Sequence, residues 1–173
     1  MNPGPTGEQG RRAHRPRRLV NLSWLLASAV LLLDQGSKLW AQHRLAPGAI
    51  EPLLPGLLQL QRVSNTGAAF SLFSGSTQAL ALVSLLVALG LVLVLSLRPP
   101  SALSSALALG FLLGGTVGNG IDRWRLGAVV DFLEFVPIRF PIFNIADVAI
   151  NLAVLCFTFE LFAGLRQEGG RHG

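Results

Sequence analysis

The sequence predicts an all-α membrane protein: four transmembrane helices carrying a small extracytoplasmic β element. Three observations carry that prediction. Of the 173 residues 51% are hydrophobic and only 13% charged, against about a quarter charged in an ordinary soluble domain. The apolar residues gather in four runs, each near the roughly 20 residues that cross the hydrocarbon core of a bilayer. Between the first and second runs, and between the third and fourth, short stretches of strand-like pattern replace the helical one.

The first span runs from about Leu19 to Trp40 and carries Asp34 and Lys38 near its end. A basic leader, an apolar run and Ala27-Ser28-Ala29 also fit a cleaved signal peptide. That nominal cleavage site lies inside the run, which continues through Leu33, so a retained span is expected. The loop at about 41–78 opens with Pro47, Pro52 and Pro55, which interrupt regular structure. Within it Leu57–Val63 alternates well enough for a short strand. The second span, Ala79–Leu97, has no charge and stops at Arg98-Pro99-Pro100. The third, Ala102–Val117, is rich in Ala, Leu and Gly. Gly114-Gly115 there suggests close helix packing, and Gly118-Asn119-Gly120 a turn. The loop at about 118–142 contains Gly127–Phe135, strand-like in composition, and the two strands form a small β element resting at the membrane surface. The fourth span, Phe143–Leu165, carries Asp147 and Glu160.

Arg11, Arg12, Arg15, Arg17 and Arg18 crowd the N-terminus. By the positive-inside rule they place it in the cytoplasm, and four spans return the C-terminus there. Residues 1–18 are expected to form a disordered basic cytoplasmic tail, 19–165 the membrane domain and 166–173 a second cytoplasmic tail. Trp24, Trp40 and Trp124 fall near span ends, as an interfacial belt has them. A pI of about 11.3 raises nucleic acid as a partner, but the basic excess sits in the tail and no basic patch carries interleaved aromatics, so none is expected. The single cysteine, Cys156, excludes a disulfide framework within one chain and reads as a small buried apolar residue. His14, His43 and His172 read as surface residues, and neither a metal nor a cofactor is expected.

Ionisable groups in or beside a span are costly, which makes them functional candidates. Asp34, Asp122, Asp131 and Asp147 all fall toward the same side of the membrane. Glu160 falls toward the other, where snorkelling to the interface explains it. Singly, each acid has a plain reading. Asp34 pairs with Lys38 at i,i+4, Asp122 pins a loop beside Arg123, Asp131 is a solvated strand residue, and Asp147 caps the fourth helix. These readings explain poorly why so many converge at one depth. Two carboxylates sharing a site hold one proton between them, which supplies a base to activate water and an acid for a leaving amine. No nucleophile motif, His-Glu-x-x-His or P-loop competes. Asn65, Asn119 and Asn144 add neutral amides able to hold an extended peptide. Spacing alone leaves open whether Asp122 or Asp131 partners Asp147. Clustering at one depth, with no polar path through the second span, argues against a transporter.

Five segments, in order, resemble the bacterial lipoprotein signal peptidases, signal peptidase II. They are Asp34-Gln35-Gly36-Ser37-Lys38, Asn65-Thr66-Gly67-Ala68-Ala69-Phe70-Ser71, Gly114 to Arg123, Gly127 to Phe132, and Phe143-Asn144-Ile145-Ala146-Asp147. The resemblance implies a monomeric aspartyl endopeptidase of the cytoplasmic membrane. It would cut prolipoproteins before a diacylglyceryl-modified cysteine, near the extracytoplasmic face, with membrane lipid as its surroundings. Asp131 and Asp147 would be the catalytic pair. Asn65, Gly67, Asn119, Arg123, Asn144 and Ala146 would line the substrate site, and Asp34, Lys38 and Asp122 would support it. The chain departs from the family at Gly120, where a bulky apolar residue is usual, and in its Arg-rich tail.

Overall fold

The computed structural model describes residues 8–67, 76–138 and 140–169, with side chains described from Arg17 to Leu165 of these. The elements follow in the order α1 (Glu8–Arg44), β1 (Ile50–Leu54), β2 (Leu58–Asn65), α2 (Thr77–Leu97), α3 (Leu103–Leu126), β3 (Val129–Phe135) and α4 (Ile145–Gly169). By length and composition all four helices can cross a membrane, over Arg17–Arg44, Thr77–Leu97, Leu103–Leu126 and Ile145–Leu165. Leucines and valines stay exposed along α2 and α4. Apolar surface on that scale has no aqueous explanation and suits lipid contact.

The third helix is the hub. In α3 61% of the span is buried, against 22% or less in the others, and it packs on α1, α2 and α4. Its glycines make this possible. A Cβ on Gly114 would sit 2.7 Å from the Ala27 carbonyl of α1, and one on Gly115 2.7 Å from the Ala146 carbonyl of α4. Small residues let helix backbones approach in a membrane, where dispersion contacts and interhelical hydrogen bonds replace the hydrophobic effect. Ser23 adds such a bond, donating to the Ala106 carbonyl at 2.8 Å. Ala27, Leu95, Leu109 and Leu113 form the apolar centre that joins α1, α2 and α3.

This packing corrects the expected end of the third span. Gly118-Asn119-Gly120 is helical, and α3 runs on to Leu126, where Gly127 closes it in the left-handed region at φ 70°. Glycine weakens an isolated helix by about 1 kcal/mol. Here close packing offsets that, since a side chain at Gly118 would strike Asp34 and one at Gly120 would press on Ser84 of α2. The bulky residue usual at Gly120 is thus replaced by a close approach of α2.

The three strands form one antiparallel sheet in the order β1-β2-β3. β2 and β3 match the two predicted stretches. β1, expected to be broken by prolines, is a strand: Pro52 lies on an edge, where a missing N–H is tolerated, and the register shifts between Pro52 and Leu54. Ala41 and Leu45 at the end of α1, Leu60 of β2 and Phe132 of β3 seat the sheet on the bundle, with Ile145 of α4 against them. At the other extreme, α1 begins at Glu8, so the basic segment up to Arg18 is helical where the sequence predicts disorder. Arg and Ala are good helix formers and extend a helix already nucleated by its apolar part. α4 likewise continues to Gly169, into the predicted C-terminal tail. Residues 1–7, His172 and Ala68-Ala69-Phe70-Ser71 lie outside the described residues, as does the His14 side chain.

Candidate active site

The site forms where β3 meets the start of α4. Phe143 exchanges backbone hydrogen bonds with Leu133, N–H to carbonyl at 2.9 Å in each direction. That pairing brings Asn144 beside Asp131. The Asn144 Nδ2 donates to Asp131 Oδ1 at 2.7 Å. From β2, Asn65 Nδ2 donates to the other oxygen, Oδ2, at 3.0 Å. The orientation of Asn65 is set by Gly67, whose N–H donates to Asn65 Oδ1 at 2.9 Å.

Asp147 is held by the same asparagine in another way. Asn144 is the N-cap of α4 and Asp147 lies three residues on. The Asp147 N–H donates to Asn144 Oδ1 at 3.0 Å, and the Asn144 N–H returns the bond to Asp147 Oδ2 at 3.1 Å. This is a capping-box arrangement with Asn and Asp in place of Ser and Glu. The other oxygen, Asp147 Oδ1, accepts from Asn119 Nδ2 at 2.8 Å. The plain sequence reading of Asp147 as a helix cap is correct, and the residue also reaches the cavity. One further donor of the first turn, the Ala146 N–H, is satisfied from a different helix, by Asp34 Oδ1 at 3.0 Å.

Asp34, Lys38 and Asp122 build a buried charge cluster behind the pair. Lys38 Nζ lies 2.8 Å from Asp34 Oδ2 and 2.9 Å from Asp122 Oδ2, and donates to Asn119 Oδ1 at 2.8 Å. These three acceptors match the three donors of an ammonium. Gln35 joins from the same helix, donating to Asp34 Oδ2, Asp122 Oδ1 and the Gly118 carbonyl at 3.1–3.2 Å. Asp122 also accepts the Val130 N–H at 3.1 Å. Its carboxylate is thus engaged with Lys38, Gln35 and Val130, whereas Asp131 lines a cavity.

Asp131 and Asp147 line one cavity of about 740 Å³, together with Asn65, Val148, Asn151 and Leu152. Burial, opposed by the Asn65 bond and reinforced by the nearby Asp147 charge, pushes the Asp131 carboxyl up to about 6. Arg123 links two of the elements around the site. Its guanidinium donates to the Gly67 carbonyl at 3.3 Å and the Asn119 carbonyl at 3.4 Å. Its Nε is buried with no partner among the described residues. No cluster of three or more His, Cys, Asp or Glu among the described residues could hold a metal ion.

The structure therefore brings together the residues expected at the site, in two connected layers. Two polar residues escaped the sequence reading. Gln35 lies inside a quoted segment but has an ordinary helical setting, and Asn151 follows Asp147 at i+4, a spacing that signals one helix face. Glu160 has partners the sequence did not indicate: it accepts from the Ser105 hydroxyl at 2.5 and 2.6 Å and the Ser104 hydroxyl at 3.2 Å, at the first turn of α3. Cys156 is half-buried, and His43 is exposed.

Comparison with known proteins agrees with this architecture. The family model described as Signal peptidase (SPase) II matches residues 26–163. The Lipoprotein signal peptidase of Parasynechococcus marenigrum (strain WH8102) is 55% identical over 148 residues, covering 86% of this chain and 92% of the relative. That of Gloeobacter violaceus (strain ATCC 29082 / PCC 7421) is 46% identical, covering 84% and 82%. A bacterial membrane enzyme solved by the in meso method at 2.3 Å superposes with a TM-score of 0.77 at 29% identity, over 82% of this chain and 87% of that one. The matched region takes in the second and third spans whole, most of the first and fourth, and both strands that meet at the cavity, and the chain belongs to the signal peptidase II family.

Proposed function

We propose that the protein is an aspartic endopeptidase of the bacterial membrane that removes signal peptides from prolipoproteins, cutting before a diacylglyceryl-modified cysteine. One observation carries the aspartic reading: Asp131 and Asp147 line a single cavity and are joined through Asn144, which bonds to both. The relatives' name, Lipoprotein signal peptidase, supports the substrate class.

In this mechanism Asp147, tied through Asn119 to Lys38, is the ionised partner and takes a proton from water. The hydroxide oxygen attacks the scissile carbonyl. Asp131, whose raised value favours the protonated form, donates its proton to the cysteine nitrogen as the C–N bond breaks. The products are a signal peptide ending in a carboxylate and a lipidated cysteine with a free amine. Asn65 and Asn144 hold Asp131 in place, and Arg123 clamps the carbonyls of Asn119 and of Gly67, whose N–H orients the Asn65 amide. The arginine-rich N-terminus sets both termini in the cytoplasm and the cavity near the extracytoplasmic face. The enzyme acts as a monomer.

The test is cleavage of a synthetic lipidated prolipoprotein peptide by purified variants. Asp131→Asn and Asp147→Asn each lose at least about 10²-fold in kcat, the scale of acid–base catalysis, while remaining folded and inserted. Asp122→Asn keeps an oxygen acceptor for Lys38 and retains measurable turnover. Full activity in either of the first two would end the assignment.

A further inference from the structure

The cavity does not stop at the aspartates. It continues along α4 past Val148, Asn151 and Leu152 to Leu155; Asn151 lies one turn from Asp147 on the same face, and Val148, Leu152 and Leu155 form an adjoining apolar row at i, i+4 and i+7. Val148, Leu152 and Leu155 are 39%, 38% and 64% exposed, on a helix apolar enough to span a membrane. The groove therefore opens sideways toward lipid. Asn151 is the one polar residue in this stretch below Asp147, and it is exposed. Its Nδ2 donates to the Asp147 carbonyl at 2.8 Å. That uses one N–H. The second N–H and Oδ1 have no partner among the described residues. An amide facing hydrocarbon without partners is costly, and asparagine is a poor helix former, so neither stability nor propensity accounts for it.

We infer that Asn151 is a specificity residue for the lipid part of the substrate, its free N–H donating to an ester carbonyl of the diacylglyceryl group. This rests on the function proposed above. One helical turn, about 5.4 Å, separates Asn151 from Asp147. The glyceryl group hangs from the cysteine whose nitrogen leaves the dyad, so its esters fall a few bonds from the scissile peptide. Their carbonyls are acceptors that arrive without donors of their own. The acyl chains then run over Val148, Leu152 and Leu155, and the polar and apolar parts of the groove match the polar and apolar parts of the modification.

Two lipopeptides identical but for diester or diether linkage of the two chains test this, in detergent free of ester lipid. The diether lacks the carbonyls and keeps the chains. The wild-type protein is expected to cleave the diester with roughly fivefold higher kcat/KM, the scale of one uncharged hydrogen bond. In Asn151→Leu that ratio falls to about one. Asn151→Ala repeats the measurement without added bulk, so altered packing cannot imitate the result. Equal rates on both substrates in the wild type, or a ratio unchanged in both variants, would overturn the inference; the latter result points to bulk lipid or the peptide as the amide's partner. Failure of the wild type to cut even the diester would instead overturn the proposed function.

Discussion

Asn119 donates from Nδ2 to Asp147 Oδ1 at 2.8 Å, and it can do so in one orientation only, because its Oδ1 faces Lys38 Nζ at 2.8 Å. A flipped amide would set two N–H groups against an ammonium. The buried cluster of α1 thus reaches Asp147 through a single side chain. Asn119→Ala cuts this link but leaves Lys38 its two carboxylates. A hydrogen bond to a charged group contributes about 1.5–3 kcal/mol, so kcat/KM should fall roughly 10- to 100-fold. Thermal unfolding in detergent should move much less than activity. Wild-type turnover would show that Asp147 needs no support from this side.

Lys38 is 1% exposed, Asp34 0% and Asp122 3%. Removing the cation alone strands two buried carboxylates. Breaking a buried pair in this way costs about 3–5 kcal/mol, whereas replacing all the charges together can be close to neutral. Lys38→Met should therefore lower the midpoint of thermal unfolding steeply. Combining it with Asp34→Asn and Asp122→Asn should restore most of the loss. A triple variant no more stable than the single one would show that the cluster contributes packing instead of charge balance.

The raised value of Asp131 sets a direction for pH dependence. Its carboxyl has a usual value of 3.8 and is pushed up to about 6 by burial. Between these two values the folded protein holds a proton that the unfolded chain has released. Stability from this group is therefore lost as pH rises through that window, and Asp131→Asn removes the loss. For activity, the proton on Asp131 is needed, so kcat/KM should decline above about 6 with a limb belonging to the coupled pair. The Asn65 bond favours the ionised form and lowers the value. Asn65→Leu should then move the alkaline limb to higher pH, and a shift to lower pH in the measured profile would contradict the assignment.

What the sequence could reveal followed from how local each signal was. The spans were legible because a bilayer demands about 20 apolar residues wherever a helix crosses. β2 and β3 were legible by alternation and composition. β1 was not, since whether Pro52 is tolerated depends on the strand lying at a sheet edge. The helical course of Gly118-Asn119-Gly120 was hidden for a related reason: the propensity of glycine is local, and the close approach of Asp34 of α1 and Ser84 of α2 that overrules it is not. Among the acids, Asp34, Asp122, Asp131 and Asp147 could be grouped by depth. That Asp122 is occupied by Lys38 was not legible, because that contact joins residues far apart in the chain.

Glu160 shows the same limit and gives a last prediction. Ser104 and Ser105, in the first turn of α3, both donate to its carboxyl from across the helix interface. Asp34 does the corresponding thing for α4, accepting its Ala146 N–H, so in each case a carboxyl of one helix serves the N-terminal turn of another. The two sides of the Glu160 contact are not equivalent on removal. Replacing both serines by alanine leaves a half-buried carboxyl without its donors, and an unsatisfied group of this kind costs about 1–3 kcal/mol. Replacing Glu160 by leucine leaves only hydroxyls, and each can turn back to a carbonyl of its own helix. Ser104→Ala/Ser105→Ala should therefore destabilise the protein in detergent more than Glu160→Leu does. Turnover of the lipidated peptide should change little in either, since neither alters a contact of Asp131 or Asp147. Equal losses of stability, or a loss of activity without a loss of stability, would mean that Glu160 acts beyond the helix end it touches.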